Sequence, residues 1–133
     1  MYDQIRYLDK TGKERIRIIY NKGAPLAVKK DKLQNKKSRY YFQNTIKLYR
    51  NEIYISPIDL NIEHGKIETP LKPMIRFGAR LTNRNGDKRG IILLNYNVGL
   101  LINDLEKLGS GLGKFSFLNS EGYWLKNSVD RNG

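Results

Sequence analysis

The chain contains no cysteine. That removes disulfides, thiolate nucleophiles and cysteine-based metal sites together. Histidine occurs once, at His64, so any imidazole chemistry must run through that residue. No apolar run approaches the roughly 18–20 residues of a membrane span, the longest being Ile91–Leu94. No signal peptide is visible either, so an export signal or membrane anchor would have to lie outside these residues. Acidic residues are scarce: 13 Asp and Glu stand against 25 Lys and Arg, a formal net charge of +12.

That charge raises nucleic acid as a partner. A nucleic-acid binder concentrates Lys and Arg on one element, because affinity comes from neutralising adjacent phosphates. Here the dense run is Lys29, Lys30, Lys32, Lys36 and Lys37, with Asp31 inside it, on an expected surface turn. The other basic residues are scattered, and a solvated basic surface is the preferred reading. A nucleic-acid-binding domain stays as the alternative, recognised by affinity that falls steeply with salt.

The 133 residues suit one domain, 1–133, with a core of its own. Aromatics reach 11%, nine of them Tyr, which argues against disorder. Gln4–Leu8 and Glu14–Tyr20 alternate around the turn residues Asp9 to Lys13 and predict a hairpin, with Ile16, Ile18 and Tyr20 on one face. Pro25 opens a short extended piece, and Lys29–Lys37 reads as a loop or one helical turn. Ser38 is placed to cap a helix whose apolar face is Tyr41, Phe42, Ile46 and Tyr49, ending near Leu48. Glu52–Ser56 and Met74–Leu81 alternate as strands on either side of a long connection, Ile58–Pro73. Asn85-Gly86-Asp87 is a hairpin turn, and Gly90–Tyr96, with four consecutive apolar residues, predicts a central strand covered on both faces. Val98, Leu101, Ile102 and Leu105 mark a second helix, ending before Gly109. Lys114–Leu118 and Tyr123–Lys126 form a closing strand pair. The sum is an α+β fold with an antiparallel sheet of roughly five to seven strands. Two short helices are too few to cover both faces, so a helix N-terminal to Tyr2 is expected and the chain reads as excised from a larger protein.

Catalytic readings fail one by one. Asp59, Glu63, His64 and Glu68 can be drawn as a metal site, but acid-rich loops with one histidine are more often solvated. Ser56, His64 and Asp59 can be drawn as a triad with no supporting motif. The glycines of Gly109–Gly113 lack the Lys-Ser/Thr of a phosphate loop. No catalytic residue, metal or cofactor is expected. A binding reading does better. Arg39 opens a helix beside Tyr40 and Tyr41, Tyr54 and Ser56 share a strand face, Arg76 follows the loop, and Asn95 interrupts the most apolar strand. Arginine offers a fork of donors to carboxylate or phosphate, and tyrosine an apolar wall with a polar tip. The bland alternative keeps the tyrosines in the core and Arg76 on the outer face.

Taken together, QIRYLDKTGKERIRI from Gln4, LQNKKSRYYF at Leu33–Phe42, the segment Tyr54–Leu81 and RGIILLNY at Arg89–Tyr96 resemble the Cache family. These are PAS-like extracytoplasmic sensor domains of bacterial histidine kinases, diguanylate cyclases and chemoreceptors. The long SPIDLNIEHGKIETPLKPMIRFG segment carries most of the resemblance, and the closing LNSEGYWLKN adds to it. The resemblance implies a PAS-like central antiparallel sheet, a long N-terminal helix and a pocket between the sheet and its crossing loops. It implies a membrane-anchored parent, periplasmic or extracellular placement of this part, and a cytoplasmic output domain elsewhere. Homodimerisation is left open.

Amino-acid-binding members share an Arg, a Trp and a Tyr after the pocket helix start and an Asp late in the sheet. Arg39 matches the first; Tyr41 stands for the Trp, Phe42 for the Tyr and Asn95 for the Asp. Loss of that carboxylate removes the usual partner of an α-ammonium group. The expected ligand is therefore small and polar or anionic, held by Arg39, Tyr41, Phe42, Tyr54, Ser56, Asp59, Arg76 and Asn95. A structural or dimerising module without ligand is the remaining alternative.

Overall fold

The first hairpin is locked by one carboxylate. In the computed structural model, which describes residues 2–21, 23–63, 66, 67, 69, 72–109, 111, 113, 116–122 and 124–127, β1 (Tyr2–Asp9) pairs antiparallel with β2 (Glu14–Asn21). Asp9 Oδ1 accepts from Thr11 N at 2.8 Å, Thr11 Oγ1 at 2.6 Å and Lys13 N at 3.2 Å, while Oδ2 accepts from Arg15 Nε at 2.6 Å. Gly12 sits in the same turn at φ +80, and a Cβ there would run into the Lys37 backbone. Next come β3 (Ala24–Ala27), a 3-10 turn at Lys30–Lys32, α1 (Tyr40–Lys47) and β4 (Ile53–Ile55). They are followed by β5 (Asp59–Leu60), β6 (Ile62–Glu63), β7 (Lys66–Ile67), β8 (Pro73–Thr82), β9 (Lys88–Asn97), α2 (Gly99–Gly109), β10 (Ser116–Leu118) and β11 (Trp124–Asn127).

The chain divides into two compact units, a larger one of Tyr2–Ser56 and Arg76–Tyr96, and a smaller one containing Pro57–Ile75 and Asn97–Gly133. The larger unit carries the strand order β3-β2-β1-β9-β8-β4. It bears out the α+β, antiparallel architecture expected from the sequence. In the smaller unit β5 pairs with the start of β8 through Asp59↔Met74 and Leu60↔Pro73, and β6 pairs with β7. Asn61 N donates to Lys72 O and Val98 N to Pro73 O, both at 3.0 Å. Asn97 Oδ1 accepts from Gly99 N at 2.8 Å and starts α2. Of the stripe expected on α2, Val98 and Ile102 are buried while Leu101 and Leu105 are exposed. The closing ribbon pairs Ser116 with Asn127 and Phe117 with Lys126. Lys114 and Tyr123, in the strands expected there, lie outside the described residues.

Two expectations are corrected. The helix begins at Tyr40, with Arg39 in the extended conformation of the N-cap and no side-chain cap, so Ser38 does not cap it. Strand β9 is not covered on both faces: Ile91, Leu93 and Asn95 are buried, whereas Ile92 is 42% exposed. Its four apolar residues alternate like any strand, two inward and two outward. The inner face itself departs from the usual pattern. Gln4, Arg6 and Leu8 point inward from β1, and Glu14 and Arg17 are buried on β2, while Ile5, Ile16 and Tyr20 are exposed. The strand pairing Arg6↔Arg17 and Leu8↔Glu14 puts these side chains on one face. The sheet thus keeps much of its polar side in and leaves isoleucines out, the reverse of the usual half-buried pattern.

The apolar core of this unit is Leu8, Tyr41, Phe42, Ile91 and Leu93, with Tyr40, Ile46 and Tyr54 packed against it. Helix α1 reaches β8 through a close approach: a Cβ added at Gly78 would overlap the side chain of buried Thr45. Thr45 Oγ1 in turn donates to Tyr41 O at 2.6 Å. Gly78→Ala should therefore cost about 1–3 kcal/mol, as overpacking does. Adding Thr45→Ala should relieve most of that loss, so that urea denaturation shows the double variant more stable than the sum of the two singles.

Candidate functional site

Helix α1 gathers most of the candidate residues because its first turn is the aromatic run Tyr40-Tyr41-Phe42. Tyr41 and Phe42 are buried in the core. The Tyr40 and Tyr41 rings meet edge-on, with centroids 5.5 Å apart. Two guanidinium groups lie near the Tyr41 ring: Arg39 Cζ at 5.7 Å and Arg76 Cζ at 5.2 Å from its centroid. Each contact is worth about 0.5–2 kcal/mol, the larger value where water is excluded. Arg76 is buried on β8, and its Nη1 donates to Tyr40 Oη at 3.3 Å. Its main chain is fixed by Ser56, whose N donates to Arg76 O and whose Oγ accepts from Arg76 N, both at 2.9 Å. The bland placement of Arg76 on the outer face is thereby excluded.

Tyr54 packs against the core and its hydroxyl accepts from Asn44 Nδ2 at 3.4 Å. Arg39, Tyr41, Phe42, Tyr54, Ser56 and Arg76 thus form one neighbourhood of α1, β4 and β8. Arg39 is half-buried and makes no ion pair among the described residues. Asn95 is fully buried two residues beyond Leu93, so both side chains share the inner face of β9. Neither its Oδ1 nor its Nδ2 has a hydrogen-bond partner among the described residues. Asp59 stands on β5, in the smaller unit.

Sequence reasoning named Tyr40 only as a neighbour of Arg39, and it missed a charged network deeper along the sheet. Glu14, fully buried, pairs with Arg6 Nη1 at 3.3 Å and Arg17 Nη1 at 3.5 Å. Arg6 also donates to Gln4 Oε1 through Nε at 2.8 Å and through Nη2. The basic segment closes over this network. Gln34 N donates to Glu14 Oε2 and Glu14 N to Gln34 O, both at 2.9 Å. Arg17 Nη2 donates to Lys32 O at 3.2 Å, and Lys13 Nζ to Leu33 O at 3.1 Å. The lysine run is a docked strap rather than a free surface turn, although Lys29, Lys30, Lys32 and Lys37 remain exposed. Among the described residues, the buried ionisable side chains are Arg6, Arg17, Lys36 and Arg76 against the single carboxylate Glu14. The inner face is electropositive. Arg80, farther along the same face of β8, also holds a buried Nε without a hydrogen-bond partner.

An open depression of about 530 Å³ lies elsewhere, lined by Tyr7, Asp9, Lys10, Thr11, Arg15 and Arg89. None of the candidate residues lines it. Burial alone would raise the Asp9 pKa, but hydrogen bonds from the Thr11 side chain, Arg15, and the Thr11 and Lys13 amides outweigh it and hold the group at about 2. For the catalytic alternatives, His64 and Glu68 lie outside the described residues. Among those described, no group of three or more His, Asp or Glu could hold a metal ion. No described helix is long and apolar enough to cross a membrane.

The family model for the bacterial histidine kinase sensor domain matches residues 1–132. The chain belongs to that family. The sensor domain is similar to the extracellular domain of vpHK1S-Z8, assigned as a histidine kinase, with a TM-score of 0.73 and 25% identity over 98% of this chain and 46% of that one. It is similar also to a domain from Vibrio parahaemolyticus assigned to the sensory box/GGDEF family, with a TM-score of 0.74 and 26% identity, over 98% of this chain and 49% of the other. The ligand-binding domain of the Campylobacter jejuni chemoreceptor Tlp3, solved with L-valine, shares the fold at a TM-score of 0.59 and 14% identity, with 98% and 50% covered. The sensor domain therefore spans about half the length of each of these solved chains. No curated protein matches it.

Two stability predictions follow from the charges of the sensor domain. Removing Glu14's charge leaves Arg6 and Arg17 sharing a buried space without their carboxylate, so Glu14→Gln should cost about 3–5 kcal/mol in urea denaturation. Asp9 contributes stability that is complete above its unfolded pKa of 3.8 and is lost as pH falls towards about 2. Asp9→Asn should lower Tm at pH 7, by about 2 kcal/mol of stability, and the gap to wild type should close progressively as melting is repeated from pH 4 down to pH 2.

Proposed function

We propose that the sensor domain binds a small anionic or polar molecule between the first turn of α1 and the inner face of the sheet, with Arg39 and Arg76 as its anion-facing groups. The observation that carries this reading is Arg39: a half-buried guanidinium held over the Tyr41 ring, without an ion pair among the described residues. The inner face adds the right sign of charge, and the first turn of α1 contains no acid to compete for the helix N-terminus. Tyr41 and Tyr54 supply walls, and Ser56 holds the Arg76 main chain in place. A fixed set of polar groups against an apolar wall is what a small-molecule site requires.

In this reading the domain faces the periplasm or the cell exterior, and its parent carries transmembrane helices and a cytoplasmic output domain. Family membership and the likeness to the extracellular domain of vpHK1S-Z8 support that placement. Ligand held against α1 favours one arrangement of the helix over others, and flanking helices pass the shift in population through the membrane. Catalysis belongs to the output domain and not to this segment. The electropositive face is turned inward, which favours a small ligand over a nucleic acid.

Small carboxylates and amino acids screened by melting shift should include at least one that stabilises the sensor domain. Arg39→Ala should lower the ligand-free Tm by no more than about 5 °C, the loss of one partly exposed cation–π contact, and should weaken binding at least about tenfold. An equal shift in wild type and Arg39→Ala would remove the site from α1.

A further inference from the structure

Asn95 narrows the ligand class, and this step rests on the site proposed above. Its amide is completely buried, yet neither oxygen nor nitrogen has a partner among the described residues. Buried polar atoms in folded proteins are almost always bonded, and each one left unmade costs about 1–3 kcal/mol. Gln4, opposite Asn95 on β1, makes no hydrogen bond to it, and its own oxygen is held by Arg6. An amide presents a donor and an acceptor side by side, so its complement must also be both.

We propose that the ligand is a hydroxy acid, its carboxylate at Arg39 and its hydroxyl at Asn95. A hydroxyl accepts from Nδ2 and donates to Oδ1 with no change of charge. An ammonium donates only: it would leave Nδ2 unpaired and would be desolvated on a face whose buried cations are Arg6, Arg17 and Arg76. The one buried carboxylate there, Glu14, is already ion-paired to Arg6 and Arg17. A bare second carboxylate would satisfy Nδ2 and repel Oδ1. The α-amino acids are therefore excluded at this position, and short hydroxy acids admitted.

The test is a melting and calorimetric titration of wild type, Asn95→Asp and Asn95→Leu with L-lactate, 3-hydroxybutyrate and L-malate beside L-alanine and L-valine. At least one hydroxy acid should stabilise wild type, and the amino acids should not. Asn95→Asp should reverse the order by about tenfold or more, because a carboxylate pairs with ammonium. Asn95→Leu should raise the ligand-free Tm, since it removes two unsatisfied polar atoms, while losing the hydroxy-acid response; this variant stands if Asn95→Asp does not fold. Amino acids that stabilise wild type as strongly as hydroxy acids overturn the ligand class. So does a hydroxy-acid response that survives in Asn95→Leu. In both cases, a response still lost in Arg39→Ala leaves the underlying site intact. Absence of any Arg39-dependent response across the panel overturns the site, and the ligand class with it.

Discussion

Glu14 is the residue on which the inner face of the sheet depends. A carboxylate with no solvent exposure survives only if the groups around it are arranged in advance. Two arginines from adjacent strands and the Gln34 amide provide that arrangement. The consequence reaches the candidate site through the main chain. Gln34 and Glu14 exchange backbone hydrogen bonds, Lys36 N then donates to Gly12 O, and Arg39 N donates to Lys36 O. Arg39, the N-cap of α1, stands five positions after Gln34, where the strap is attached. The buried charge therefore holds the strap to the hairpin, and the strap fixes where α1 begins and where Arg39 stands.

That constraint explains why the sheet looks inverted. With arginines on the inner face, the apolar core of the larger unit is the patch where α1 lies: Leu8, Ile91 and Leu93 against Tyr41 and Phe42. The isoleucines Ile5, Ile16 and Ile92 are left on the outer face, exposed. A sheet built only for stability would place these residues the other way round, because burial of an isoleucine is worth about 1.5–3 kcal/mol while burial of an ion pair is often neutral or worse. The arrangement makes sense when the inner face must present charge and hydrogen-bonding groups to something other than the protein.

Much of this was legible in the sequence. Alternation and turn residues located the strands, and Asn85-Gly86-Asp87 marked the β8–β9 hairpin, whose Asn83 and Asp87 close the turn. Period alone put Tyr54 and Ser56 on one strand face, and it left Arg76 open between the pocket and the outer face. What period could not give was the sign of each face. Ile16 and Ile18 alternate with Arg15, Arg17 and Ile19, and hydrophobicity alone says that the isoleucines go in. Ile16 goes out because Arg6, Arg17 and Glu14 pair only when brought together from two strands, with a strap about twenty residues away in sequence closing over them. Four successive apolar residues in β9 misled for a related reason: a run has no alternation from which to read a face. The cap failed locally, since Ser38 lies one residue before the N-cap, Arg39, and two before Tyr40, where the chain turns helical.

The two groups proposed to hold the ligand differ in how they are held. Arg39 belongs to the start of α1 and moves with it; Asn95 belongs to β9, which is paired with β1 through much of its length. A ligand touching only Asn95 would fill a hydrogen-bonding deficit without displacing anything. A ligand touching only Arg39 would gain a charge contact that solvent largely screens. A ligand touching both ties the helix to the sheet, and its affinity then depends on where the helix stands. By linkage, the ligand must bias that position by the same free energy. Stability left unrealised at Asn95 is what makes such a bias available, because an amide already satisfied by the protein would have nothing to exchange on binding.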